Sequence, residues 1–276
     1  MRAWKSVTAA AVLGMVIQGA WATSTLVGTF GSGGAPSTLV EINPLTGAVT
    51  TIGSVGYSVN GMDCFDGRLY ATTPWHDPSH HGLIEINMVT GAGTPIGSGW
   101  GGAMTAQTVV EMAIDSTGRA FAWGEPGEDD LYEINLTTGT ASRVGESGLD
   151  TAMLGLAFDL ADDLYLHHWD GGLHRINPAT GSSAFLGSTG TTAHHGDVDP
   201  DTGLYYGLSQ TSLPEDLVTI NLSTRVEVAR VQLPDYIHTL AFKCDEEYVI
   251  PEPLTLAGIA LGVGCLDGYI RRRRAA

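Results

Sequence analysis

Five short segments decide the architecture of this chain: Ile42-Asn43-Pro44-Leu45-Thr46-Gly47, Ile86-Asn87-Met88-Val89-Thr90-Gly91, Ile134-Asn135-Leu136-Thr137-Thr138-Gly139, Ile176-Asn177-Pro178-Ala179-Thr180-Gly181 and Ile220-Asn221-Leu222-Ser223-Thr224-Arg225. Their asparagines stand 44, 48, 42 and 44 residues apart. A repeat of about 40–45 residues is the length of a four-stranded propeller blade. The residue types suit a tight hairpin. Asn bonds its own backbone two residues on, Pro presets the next φ, and Gly supplies the positive φ that closes the turn. The fifth copy carries Arg225 in place of that glycine, which leaves its turn in doubt.

Outward from each segment lie short β-type runs. Leu131-Tyr132-Glu133-Ile134 precedes one turn and Ala184-Phe185-Leu186 follows another. Further upstream, Leu156-Ala157-Phe158-Asp159 faces Leu164-Tyr165-Leu166 across an Asp-rich turn, and Met112 to Ala122 repeats the arrangement. Four strands per unit and no helical period predict an all-β array. Innermost strands are expected near residues 62, 112, 156, 197 and 240. Thr239-Leu240-Ala241-Phe242 has no hairpin after it, and the hairpin at Asn43 has no innermost strand before it. Joined, the two fragments complete one blade and remove two sheet edges. The expectation is a five-bladed β-propeller closed by strands from both termini, with an open β-solenoid as the alternative.

Composition narrows the function. The 276 residues include 37 glycines and 43% hydrophobic residues, enough to build a core. Thirty acidic residues against thirteen basic ones give a formal charge of -17, the wrong sign for binding nucleic acid phosphates.

The two ends have a different grammar. Arg2 and Lys5 precede an apolar stretch from Val7 to Ile17, and Ala20-Trp21-Ala22 fits a small-x-small cleavage site. Residues 1–22 are therefore expected to be a signal peptide, followed by the repeat domain over 23–250. At the other end, Pro251-Glu252-Pro253 leads into an apolar segment, 254–270, long enough for a membrane helix at the lower limit. Arg271, Arg272, Arg273 and Arg274 follow, and such a cluster stays on the cytoplasmic side. This tail, 251–276, resembles the PEP-CTERM sorting signal of Gram-negative bacteria. The resemblance implies recognition by an exosortase, a membrane protease, and release of the passenger to the cell surface or an extracellular polysaccharide matrix. Pro251, Glu252 and Pro253 match the recognised motif and the four arginines match the retention cluster. Asp267 departs from the pattern, four residues from arginines with which it can pair. An anchor that is never cut is the alternative. Without the two ends, which hold Arg2, Lys5 and the four arginines, the body is more acidic still, a surface that attracts cations such as calcium.

Catalytic signatures are sparse. The two lysines, Lys5 and Lys243, do not follow glycine, so no Walker loop exists. Gly97-Ser98-Gly99-Trp100-Gly101-Gly102 matches a dinucleotide-binding pattern by letter, yet no helix follows it. Aligned repeats place Asn60, Val110, Leu154, His194 and His238 at one mouth of the central channel, and Gly61, Glu111, Gly155, His195 and Thr239 next to them. Glu111, His194, His195 and His238 are thus candidate ligands for zinc or another transition metal. The competing reading is a ring of polar side chains bonded to water. Trp75-His76-Asp77-Pro78-Ser79-His80-His81 reads as a surface loop. Cys64 and Cys244 fall on neighbouring blades and can pair outside the cell. The expected function is an exported, non-enzymatic propeller presenting a surface to a glycan or a protein. The alternative is an extracellular lyase or hydrolase acting on polysaccharide from the channel mouth.

Overall fold

Each asparagine turn joins the third and fourth strands of an antiparallel four-stranded sheet. The structure, a computed structural model, describes residues 24–244 apart from 32–33, 75, 101–103, 105–107, 126–128, 152 and 211–213. The expected signal peptide with Ala20 and Ala22, the 254–270 segment, Pro251 to Pro253 and the four arginines lie outside the described residues.

The first turn joins β2 (Thr38–Ile42) to β3 (Val49–Ser54), after β1 (Leu26–Phe30). Blade II is β4 (Met62–Phe65), β5 (Arg68–Thr72), β6 (Leu83–Ile86) and β7 (Gly93–Ile96). Blade III is β8 (Thr108–Ile114), β9 (Ala120–Glu125), β10 (Asp130–Ile134) and β11 (Ala141–Glu146). Blade IV is β12 (Leu154–Phe158), β13 (Leu164–His168), β14 (Gly172–Ile176) and β15 (Ser183–Ser188). Blade V is β16 (His194–Val198), β17 (Tyr205–Ser209), β18 (Asp216–Asn221) and β19 (Val226–Gln232). The final strand, β20 (Thr239–Phe242), pairs with β1 in the register Leu26↔Phe242 to Thr29↔Thr239, completing blade I in the order β20-β1-β2-β3. The protein is a five-bladed β-propeller closed by its two ends.

The turns form as the residue types dictate. Asn43 Oδ1 accepts the N–H groups of Leu45 and Thr46, both at 3.0 Å, and the Gly47 N–H bonds back to the Asn43 carbonyl at 2.8 Å. The fifth turn closes in the same way although it lacks glycine. Arg225 takes a φ of 57°, and its N–H reaches the Asn221 carbonyl at 2.7 Å.

Alternation along the strands gives every blade two apolar faces. In β2, Leu39 packs with Leu69 and Ile84 of blade II, while the next residue, Val40, packs with Leu208 and Leu217 of blade V. Five such cores fill the seams between neighbouring blades. A blade alone would leave both faces in water, at about 1.5–3 kcal/mol for each large side chain exposed. The seams are also tight at the backbone. A Cβ on Gly53, Gly97 or Gly145 would run into the carbonyl of Thr90, Thr138 or Thr180 in the next blade's asparagine turn. Cys64 and Cys244 form a disulfide between β4 and the residue pair after β20, tying blade II to the closing strand.

Candidate functional site at the channel mouth

The innermost strands β4, β8, β12, β16 and β20 line the central channel. Two of the five are irregular at the end where they begin. The β8–β9 register shifts between Val109 and Glu111, and the β16–β17 register shifts between His194 and Gly196. A bulge re-aims the side chain beside it. Here the two bulges turn Glu111 and His195 toward each other across the channel, with Glu111 Oε2 2.8 Å from His195 Nδ1. His195 adopts a φ of 39°, a strained value for a residue with a side chain. Gly61 stands beside the pair because a Cβ there would press on Glu111.

Glu111 is 1% exposed, and burial pushes its carboxyl well above the usual range. Burial, then the neighbouring His238 and His194, push His195 well below the usual imidazole range. Both shifts favour a pair without net charge, in which Glu111 donates its proton to Nδ1 and the imidazole hydrogen sits on Nε2. The His195 side chain is 11% exposed.

The remaining candidates crowd round. The His195 ring lies 5.0 Å from His238 and 5.1 Å from His194, centroid to centroid. Burial lowers His238 to about 4. His194 Nε2 lies 3.5 Å from Glu215 Oε1, and Glu215 Oε2 accepts the Ile237 N–H. Asn60 Nδ2 donates to the Val109 carbonyl at 2.7 Å, joining blades II and III. The structure therefore assembles Glu111, His194, His195 and His238, but as packed rings and one imidazole–carboxyl bond. Among the described residues no group of three His, Cys, Asp or Glu side chains is placed to hold a metal ion. Glu111 Oε2 meets Nδ1 of His195, while the buried Nδ1 atoms of His194 and His238 meet no hydrogen-bond partner there. Glu215, buried in blade V, was missed by the sequence reading; the signal was Glu215-Asp216-Leu217 repeating Asp129-Asp130-Leu131 of blade III, where Asp129 likewise accepts the N–H of Thr151.

Deeper in the channel, Asp63 Oδ2 accepts the Ile114 N–H of the next blade at 2.5 Å, and Asp197 Oδ2 accepts the Phe242 N–H at 2.7 Å. Burial raises both carboxyls, Asp197 to about 6. Tyr205 fills the channel wall against Gly155 and Gly196, which have no room for a side chain. The loop holding His76, His80 and His81 is organised by Asp77, whose oxygens accept the N–H groups of Ser58, Ser79 and His80.

The two faces differ in kind. Every histidine except His174 lies at the end where the innermost strands begin: His76, His80 and His81 between β5 and β6, His167 and His168 at the end of β13, and His194, His195 and His238 at the channel. The opposite end carries the five asparagine turns and the Asp-rich turns at Asp115, Asp159 and Asp199. An open hollow of about 830 Å³ lies on that opposite side, lined by Ser24, Arg68, Glu85, Asp201 and Lys243, away from the histidines.

No protein-family model matches the sequence, and no curated protein matches it. Solved structures do. A chain of a nidogen/laminin complex is 12% identical, with 80% of this chain and 98% of that chain covered, at a TM-score of 0.53. A structural genomics protein of unknown function from Bacteroides thetaiotaomicron is 15% identical at a TM-score of 0.52, over 75% of this chain and 57% of that one. The chain thus spans little more than half of that second protein's length. At these identities the likeness is one of fold alone.

Proposed function

We propose that this chain is an exported, non-enzymatic surface or matrix protein, processed at Pro251-Glu252-Pro253 by an exosortase-type membrane protease, whose propeller presents one face to a glycan or protein outside the cell. The observation that carries this reading is the sidedness of the propeller. One end consists of repeated structural turns, and the other gathers the histidines and the long irregular loops. Loops held on a rigid scaffold are where binding residues concentrate. Two polar contacts at the channel mouth, Glu111 to His195 and Asn60 to Val109, join blades and hold that face rigid. The PEP-like tail and the acidic body supply the address and the solubility.

The test is the intact mass and location of the mature protein, with and without the Pro251-Glu252-Pro253 motif. Loss of the arginine cluster from an extracellular form that depends on the motif is expected. A mature form still carrying Arg271 to Arg274 would reject processing and leave an uncut anchor.

One observation favours the second reading, an extracellular lyase or hydrolase. His195, a partly exposed imidazole at the channel mouth, is held at Nδ1 by the Glu111 carboxyl, an oriented pair of the kind that moves protons. Polysaccharide cleavage abolished by His195→Ala, with the fold intact, would establish it.

A further inference from the structure

The rim of blade IV breaks the repeat. At the strand position occupied by Val40, Ile84, Tyr132 and Val218 in the other blades, β14 carries His174. The cross-strand partner, filled elsewhere by Thr51, Pro95, Arg143 and Arg230, is Phe185. Phe185 is 64% exposed, and Trp169, on the turn before β14, is 49% exposed. A large exposed aromatic on an outer strand has no structural task there, and positions that break a local rule tend to be functional.

The surroundings give the rim its chemistry. The His174 ring lies 5.1 Å from Phe185, and the His168 ring 5.7 Å from Trp169. Asp170 links the two groups: its Oδ1 accepts from His168 Nδ1 at 2.7 Å and from the Gly172 N–H at 2.8 Å. Gly172 is not held in the left-handed region, and the three atoms nearest a Cβ there all belong to side chains. It would instead sit 3.1 Å from Asp170 Oδ1, 3.5 Å from His174 Nε2 and 3.6 Å from Phe185 Cε2. Glycine therefore leaves a notch in which an acceptor, an imidazole nitrogen and a ring edge converge.

We propose that this rim (Trp169, Asp170, Gly172, His174 and Phe185) is a stacking site for a neutral polysaccharide. The inference rests on the surface-protein reading above and names its ligand class. Pyranose rings present C–H faces that lie on aromatic rings and hydroxyl groups that bond carboxylate and imidazole. The apolar area here is interrupted by polar atoms every few ångströms, as sugars require and as a protein hot spot does not. The charge sets the polymer's sign. A chain of net charge -17, with Asp170 itself at the site, repels polyuronates and other polyanions.

Affinity electrophoresis of the full chain through gels containing hydroxyethylcellulose, a mixed-linkage β-glucan, galactomannan or alginate tests this. Retardation by at least one neutral polymer is expected, and not by alginate. Trp169→Ala and Phe185→Thr should each weaken binding by about tenfold or more. Gly172→Ala, which fills the notch, should weaken it by about three- to tenfold. Leu160→Ala, on an exposed turn at the opposite end, should change nothing. Thermal melts of each variant separate lost binding from lost folding. No retardation by any neutral polymer, retardation by alginate alone, or retardation indifferent to the Trp169 and Phe185 variants would each overturn the proposal. So would capture only by a protein partner. If the protein is found outside the cell and stays with matrix material regardless of these substitutions, the rim is rejected and the surface reading stands. If it is never exported, that reading fails whatever the gels show.

Discussion

At Arg225 the chain puts an arginine where four other turns put glycine, and the backbone adopts the glycine conformation anyway, with φ at 57°. Left-handed backbone costs a residue with a Cβ about 1–2 kcal/mol. Glycine regains part of that as unfolded-state freedom. Arg225→Gly should therefore raise stability by about 0.5 kcal/mol, seen as a higher Tm, whereas a drop would mean that the Arg225 side chain holds the seam at Gly187. The sequence made the turn itself legible through Asn221, whose side chain accepts the Thr224 N–H and whose carbonyl accepts the backbone N–H of residue 225, a donor that any residue but proline supplies. Glu111 offers a second test. If the Glu111–His195 pair is uncharged, Glu111→Gln keeps a donor to His195 Nδ1 and should change stability by no more than about 0.5 kcal/mol at pH 7. Glu111→Ala removes the partner and should cost about 1–3 kcal/mol. Equal losses in urea unfolding for both variants would instead indicate an ionised pair.

The element that matters most is the innermost strand. Its place in each repeat was readable from spacing; of its bulges, the one at His194-His195-Gly196 carries a glycine that marks it, whereas Val109-Val110-Glu111 carries no such residue. The aspartates that join these strands control the pH response. Asp197 titrates at about 6 in the fold against 3.8 in the unfolded chain, so the folded form holds the proton more tightly. Its favourable contribution is complete below pH 3.8 and is lost as pH rises through 6. Asp197→Asn keeps an acceptor for the Phe242 N–H and buries no charge. It should match the parent near pH 4 and exceed it by about 2 kcal/mol above pH 6, scaled down from the full shift because Asp197 is partly open to the channel. His238, lowered to about 4, acts oppositely, with its contribution present above pH 6.5 and lost as pH falls toward 4. A denaturation series from pH 4 to 8 resolves the two, and a variant no more stable than its parent at pH 7 would contradict the burial argument for Asp197.

For the molecule as a whole, closure is the critical event. The two seams that flank blade I are complete only when β20 reaches β1, because their cores combine Leu26 with Leu240 and Phe242, and Val27 with Ala241, from opposite ends of the chain. The Cys64–Cys244 disulfide spans 180 residues and secures that last step. Constraining so long a loop limits the unfolded chain. Cys64→Ser with Cys244→Ser should lower stability by about 2–4 kcal/mol, with the same shift produced in the parent by a reducing agent. A parent whose Tm is indifferent to reduction would show that the β1–β20 pairing suffices alone.

The sequence by itself determined the number of blades, the five turns and the need for ring closure, because these follow from a repeated local pattern and from the count of strands left over at each end. Folding in three dimensions added that Glu111 bonds His195, that His194, His195 and His238 gather at the channel mouth, and that Gly172, His174 and Phe185 make a notch. Those outcomes depend on bulges and on side chains from distant repeats meeting at one point, and no periodicity along the chain encodes a distance across it.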